Sequence, residues 1–320
     1  MKPFISYNQQ IFSLKSKGIV IDNKNKTKIK KILINENYYS LINGYRDLFL
    51  DNNKKYKKGT HFFEIYALYN FDRDLRNILF KKILIIESKL KSIFSYVFSE
   101  SYNDNYLNIE NYNIVLKDDP TYSNLTPKQL ENNNKMLNKA CSVINSLCKS
   151  ISDNSTKKDF ITHYLLNHKT VPLWVLINII TLGNLSILYS CLKQRDQQKI
   201  AKAFNIQSNN LENYIKILTI FRNICAHEER CYITKVKHKI LDTNHHQRLN
   251  LQKINNDYFQ GKNDLFAVLI ILKELLGGKD FKILIKKLKI IFCKLDEKLN
   301  IININDVFNI IGFPYNWDNL

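Results

Sequence analysis

Between His61 and Glu100 the chain runs HFFEIYALYNFDRDLRNILFKKILIIESKLKSIFSYVFSE, a stretch with no glycine and no proline. Phe62, Ile65, Leu68, Leu75, Ile78, Leu79, Ile83, Ile86, Leu90, Ile93, Phe94 and Val97 recur at steps of three and four. That is the period of one helix face. A helix this long exceeds the ordinary globular range, so it is expected to form the backbone of a bundle or a dimer face. The polar residues from Asn70 to Asp72 mark a candidate break. Glycine and proline are scarce throughout, 8 and 5 residues in 320. This disfavours a turn-rich β-sandwich or barrel. The fold class expected is all-α.

Other segments fit that class. Ile11 and Leu14 lie on a short helix stopped by Gly18, and two helical pieces follow, the second ending near Gly44 or resuming after it. Tyr38, Tyr39 and Tyr45 are candidates for stacking on bases, with packing at the core or its rim as the competing reading. Thr126 and Pro127 signal a helix start after an Asn-rich loop. Thr170 is a candidate N-cap ahead of Pro172. Gly183 is expected to divide the uncharged run Val171–Leu192 into two buried segments, which argues against a spanning helix despite sufficient length. Two helices to about Leu192 and Phe204 lead to the segment Leu211–Phe221. Leu265–Leu276 reads as a helix stopped by Gly277-Gly278, and Asp280–Leu299 as a last, basic helix. An aromatic tail to Leu320 is expected to dock on the bundle.

The formal charge of +19 attracts polyanions, nucleic acid above all. Surface lysines that merely keep the chain dissolved account for part of the same figure. Six cysteines stand apart with no CxxC pair, so free and mostly buried thiols in a reducing cytoplasm are expected. His238, His245 and His246 lack metal-ligand spacing. No Gly-rich phosphate loop and no HExxH is present. No cofactor, metal or stable membrane association is expected.

The chemistry-bearing stretch is FRNICAHEERCY, Phe221–Tyr232. It places Arg222 and His227 late on a helix whose inward positions are Leu211, Tyr214, Ile215, Leu218 and Phe221. Histidine moves protons near neutral pH. Arginine forks onto phosphate and never loses its charge. Together they supply the minimum for RNA cleavage by internal 2′-hydroxyl attack without metal. A second copy across a dimer axis would contribute the second histidine. Residues five apart on a helix are separated by about 140°, so arginine's reach, or convergence of two chains, must close the gap. Asn223 is placed to orient Arg222 or touch phosphate. Glu228 either keeps His227 protonated or pairs with a cation. Arg230 is a candidate partner for Glu228 or Glu229, and Cys225 reads as packing. Glu87, alone in the apolar run ILIIESKL, needs a partner. An active-site arginine or histidine and a structural ion pair are equal candidates.

At these residues the chain resembles the Abi family of bacterial abortive-infection proteins, the AbiD/AbiF-like group of the HEPN superfamily. The resemblance covers NQQIFSLKSKGIVI, NENYYSLINGYRDLF, LYNFDRDLRNILFKKILIIESKLKSIFSYVFSE, VPLWVLINIITLGNLSILYSCL and FRNICAHEERCY. It implies a HEPN-like helical bundle with an additional N-terminal helical region, and the Asn-rich loop sets a soft boundary between residues 1–110 and 111–320. It further implies a homodimer and a metal-independent endoribonuclease toxin acting in antiviral defence, with Arg222, Asn223 and His227 at the motif positions. RNA is the implied substrate, and a small structured RNA a possible regulator in a toxin–antitoxin arrangement. Glu228 stands where related chains often carry a histidine or aromatic residue. The competing expectation is a structured-RNA-binding protein that does not cut.

Overall fold

A computed structural model describes residues 4–320. It is 65% helical, with one two-residue hairpin as minor sheet. The protein is an all-α bundle.

Helix α1 (Tyr7–Ser16) and α2 (Lys26–Asn35) precede a π-turn at Tyr39–Asn43. Then comes α3, Phe62–Tyr102, a single helix of 41 residues. At its start the His61 ring accepts from the Phe63 N–H at 3.3 Å, and Glu64 accepts from the His61 N–H at 3.4 Å. The other Glu64 oxygen accepts from the amides of Asn300 and Ile301, at 2.6 and 2.8 Å. One carboxylate thus caps the helix and anchors a distant segment. The helix stops at Asn103, which turns left-handed at φ +46°. The expected break at Asn70–Asp72 does not occur. An interior aspartate disfavours helix because its carboxylate competes for nearby backbone groups. Here Arg76 occupies that carboxylate from one turn ahead, at 2.6 Å.

The loop after α3 leads to α4 (Pro127–Asn154), capped by Thr126 with proline at its start as expected. Next are α5 (Asp159–His168), α6 (Leu173–Leu176), α7 (Leu182–Cys191), α8 (Gln194–Lys202) and α9 (Ser208–Ala226). The apolar run Val171–Leu192 is divided, but not by Gly183. The division falls at Asn178–Thr181, because the Thr181 hydroxyl accepts from the Asn184 N–H at 3.2 Å and starts α7, with Gly183 inside its first turn. Thr170 is no cap either. Pro172 is extended at ψ 152° and itself takes the N-cap position of α6. Among the described residues, no helix is long and apolar enough to cross a membrane.

The region after α9 holds the short α10 (Asn244–Arg248) and the hairpin β1 (Lys253–Ile254) and β2 (Asp257–Tyr258). The chain closes with α11 (Leu265–Leu275), α12 (Gly278–Asp296) and α13 (Ile304–Ile311). The aromatic tail docks as expected, with Phe313 and Trp317 buried against Phe292.

α3 is the common partner of α6, α8, α9, α11 and α12. Its inward stripe of Leu68, Leu75, Leu79, Ile83, Ile86, Leu90 and Phe94 is buried. One apolar cluster runs from Ile11 to Leu320 across residues 110 and 111. Three cysteines, Cys191, Cys225 and Cys231, are buried. Cys141, Cys148 and Cys293 are exposed, so the thiols are not mostly buried. Two of these three lie on the outer faces of amphipathic α4 and the third on that of α12.

Gly312 ends α13 at φ +79°, and a Cβ there would collide with the Asp264 carboxylate. That carboxylate caps α11 through the Ala267 N–H at 2.9 Å. Gly312→Ala combines a left-handed side chain with a displaced cap. It is expected to lower the unfolding free energy by about 2 kcal/mol, read from the urea midpoint.

Candidate functional site

The inward face of α9 is Leu211, Tyr214, Ile215, Leu218, Phe221, Ile224 and Cys225, all buried. Burying that face leaves Arg222 at the seam with α3 and exposes Asn223, Ala226 and His227. His227 is the C-cap, its N–H still bonded to the Asn223 carbonyl at 2.9 Å. Glu228 follows in the left-handed region, at φ +55°. The Glu229 N–H returns to the Ile224 carbonyl at 3.0 Å, which completes a Schellman termination. Glycine usually fills the left-handed position of such an end; here a charged side chain does.

Two carboxylates of α3 hold this end of α9. Glu87 is one. Its Oε1 takes the Lys91 ammonium at 2.9 Å, and its Oε2 lies 3.7 Å from Arg222 Nε. The second distance gives attraction without a hydrogen bond. The Arg222 guanidinium also lies 5.8 Å from the Phe80 ring centre, with Nη1 3.5 Å from the Asn223 side-chain oxygen. Glu87 thus joins an active-site candidate to a structural ion pair, combining the two expectations for it. Two cations on one carboxylate leave a net positive charge at the seam. Lys91 was readable in the sequence as the residue four after Glu87 on one helix face.

Asp72 is the other carboxylate, and it is fully buried. It accepts from Arg76 Nη1 at 2.6 Å, the Tyr45 hydroxyl at 2.7 Å, and the amides of Cys231 and Tyr232 at 3.1 and 2.9 Å. Burial pulls its carboxyl upward, and these four donors oppose that. Burial, then the Asp72 charge, pushes the Tyr45 hydroxyl far up, so it remains a donor. Arg76 also donates to the Glu229 carbonyl at 3.2 Å. The backbone directly after His227 is therefore pinned to α3. The Cys231 thiol is pushed up by Cys225 beside it and by burial, so its sulfur packs rather than reacts.

Arg230 does not pair with Glu228 or Glu229. Its guanidinium donates to the Gly44 carbonyl at 3.2 Å, with its stem 3.3 Å from where a Cβ of residue 44 would stand. His227, Glu228, Glu229 and Arg230 line a cleft of about 920 Å³ whose far wall is residues 35–45. There Arg73 grips Glu36 with two bonds of 2.9 Å, and Tyr69 donates to the same carboxylate at 2.6 Å. Arg73 holds the Glu36 carboxyl below its usual range. The Glu36 bonds keep the Arg73 guanidinium charged, and the Glu228 carboxylate adds to this. Among the described residues no group of three His, Cys, Asp or Glu side chains is arranged to hold a metal ion.

A family model described as Abi-like protein matches residues 31–233, well over half of the chain. The chain belongs to that family. The matched span contains both gripping carboxylates and the whole of α9, and it ends just after Tyr232. Membership points to a role in abortive-infection defence. No curated protein and no solved structure matches the chain.

Proposed function

We propose that this Abi-like protein is a HEPN-type, metal-independent endoribonuclease toxin, whose site is completed when two copies bring their α9 ends together. The observation that carries this reading is the pair of grips on α9. Glu87 steadies Arg222 and Asp72 pins the backbone after His227, so a phosphate-binding cation and a proton carrier share one rigid helix end. Neither functional side chain is consumed by structure. Arg222 keeps the outer edge of its fork, and no hydrogen bond or ion pair of the His227 ring is present among the described residues.

In this reading the 2′-oxygen forms a bond to phosphorus while the bond from phosphorus to the 5′-oxygen breaks. One His227 takes the 2′-hydroxyl proton. The His227 of the second copy gives a proton to the departing 5′-oxygen. Arg222 stabilises the charge that builds on the phosphoryl oxygens. The products are a 2′,3′-cyclic phosphate and a 5′-hydroxyl. DNA has no 2′-hydroxyl and is not cut.

The test is incubation of the purified protein with total cellular RNA in excess EDTA, followed by mapping of the ends. Cyclic phosphate ends are expected, and they are absent with His227→Ala. Cutting that stops in EDTA, or persists in the variant, counts against the mechanism. A second reading, a protein that holds structured RNA without cutting it, draws on Glu228. Its exposed carboxylate beside His227 opposes the approach of phosphate. That reading expects salt-sensitive binding with no product.

A further inference from the structure

We propose that the cleft beside His227 receives one unpaired base of a single-stranded RNA, stacked on Tyr39. The inference rests on the RNA-cleaving reading for the identity of its ligand, and the cleft itself supplies the rest.

The charge of the cleft sets it apart from its surroundings. The chain carries +19, yet along the cleft walls Arg73 takes the Glu36 charge and Asp72 takes that of Arg76, which leaves Glu228 and Glu229 against Arg230 and Lys235, two acids against two bases. A channel that tracks phosphates needs a surplus of cations. A balanced cleft of polar side chains has no such surplus and suits an uncharged base. The phosphate then belongs on the α9 side, where the net positive charge of Arg222, Lys91 and Glu87 lies. His227 stands between the two places, on the rim of the cleft and at the end of the helix that carries Arg222.

Tyr39 supplies the platform. It is 73% exposed, so the face of its ring is open to stack on a base. The turn that holds it is not slack. The Asn37 side-chain oxygen accepts from the amides of Tyr39 and Ser40, at 2.9 and 3.1 Å. Those bonds fix which end of the Asn37 amide is oxygen, and they leave its NH2 group to donate to the carbonyls and ring nitrogens of a base. Asn43 is in the same condition, its oxygen taken by Arg46 at 3.2 Å. At about 920 Å³ the cleft lies in the range of small-molecule sites. It has room for a splayed-out nucleotide. Bases of a duplex are stacked and paired, so they cannot enter. Tyr39 also borders a second hollow of about 440 Å³ with Tyr7 and Gln10, which gives the strand a way onward.

The test uses the full-length His227→Ala protein, fluorescein-labelled short RNA of mixed sequence, and the same sequence as a blunt duplex, at physiological ionic strength. Fluorescence anisotropy is expected to show the single strand binding at least about ten-fold more tightly than the duplex. Adding Tyr39→Ala should weaken single-strand binding by about ten-fold, within the range for loss of one stacked base. Tyr39→Phe should retain it. A 4-thiouridine version should cross-link within residues 35–45. Equal affinity for duplex, indifference to Tyr39→Ala, or cross-links confined elsewhere would each overturn the proposal. The nuclease reading fails separately. Wild-type protein that cuts no RNA but binds single strands through Tyr39 refutes cleavage and upholds the cleft. Cleavage that ignores Tyr39→Ala in both rate and affinity does the reverse.

Discussion

His227→Ala is expected to reduce RNA cleavage by about 10²–10⁴-fold with no change in thermal unfolding. The split between activity and stability follows from where His227 sits. Its backbone N–H closes the end of α9, and alanine keeps that bond. Its ring is exposed and makes no hydrogen bond among the described residues, so truncation removes proton transfer and little else. Arg222→Ala should lower the rate by a comparable factor, because a preorganised donor to developing oxyanion charge contributes on the order of 10²–10³-fold. Arg222→Lys should recover little, since an ammonium cannot fork onto two phosphoryl oxygens. The check is single-turnover cleavage with a labelled RNA beside a melting curve. Full activity in either alanine variant would refute the mechanism. A large drop in melting temperature would instead make the pair structural.

Asp72→Ala is expected to be the most destabilising single change near the site, at about 3–5 kcal/mol, measured by urea unfolding. The carboxylate serves four donors, and removing it leaves Arg76 charged and uncompensated in the core. The amides of Cys231 and Tyr232 lose their acceptor as well, which adds the cost of burying unsatisfied donors. Asp72→Asn should recover only part, because an amide has one accepting oxygen and its NH2 group faces donors. The pair Asp72→Asn with Arg76→Met should recover more by removing the stranded charge. It should still fall short of the native chain, since the two backbone amides remain poorly served. A loss below about 1 kcal/mol for Asp72→Ala would mean that water replaces the network, and that the segment after His227 is held by packing.

The features readable in the sequence were those whose causes are local. The spacing of Leu75, Leu79, Ile83 and Ile86 marks one helix face whatever the rest of the chain does. The Thr126–Pro127 start is written in adjacent residues. The capping pair Asn303 and Asp306 is equally readable, and it begins α13 ahead of the aromatic tail. Asp72 misleads because its partners are remote. Only Arg76 lies nearby, while Cys231 and Tyr232 stand 159 and 160 residues away. Seen locally, such an aspartate looks like a helix breaker. Arg230 misled in the opposite way. Its acidic neighbours suggested a pair, while the fold carries its side chain to the Gly44 carbonyl 186 residues back. The grip of Arg73 on Glu36 was hidden for the same reason. Arg222, His227 and Glu87 were all named from the sequence, and the structure brings Arg222 and Glu87 together at one seam.

Asp72 and Glu87 lie on one uninterrupted helix, fifteen residues apart. At about 1.5 Å and 100° per residue, that sets them about 22 Å apart and within about 60° of the same azimuth. α3 therefore acts as a ruler for α9. Substitutions along this interval change individual contacts, but a one-residue insertion or deletion would turn Glu87 by about 100° relative to Asp72 and aim it away from Arg222. The interval can drift in composition over evolutionary time while its length stays locked. A change of length is better borne by loops that meet neither carboxylate, unlike residues 229–232, which Asp72 and Arg76 hold.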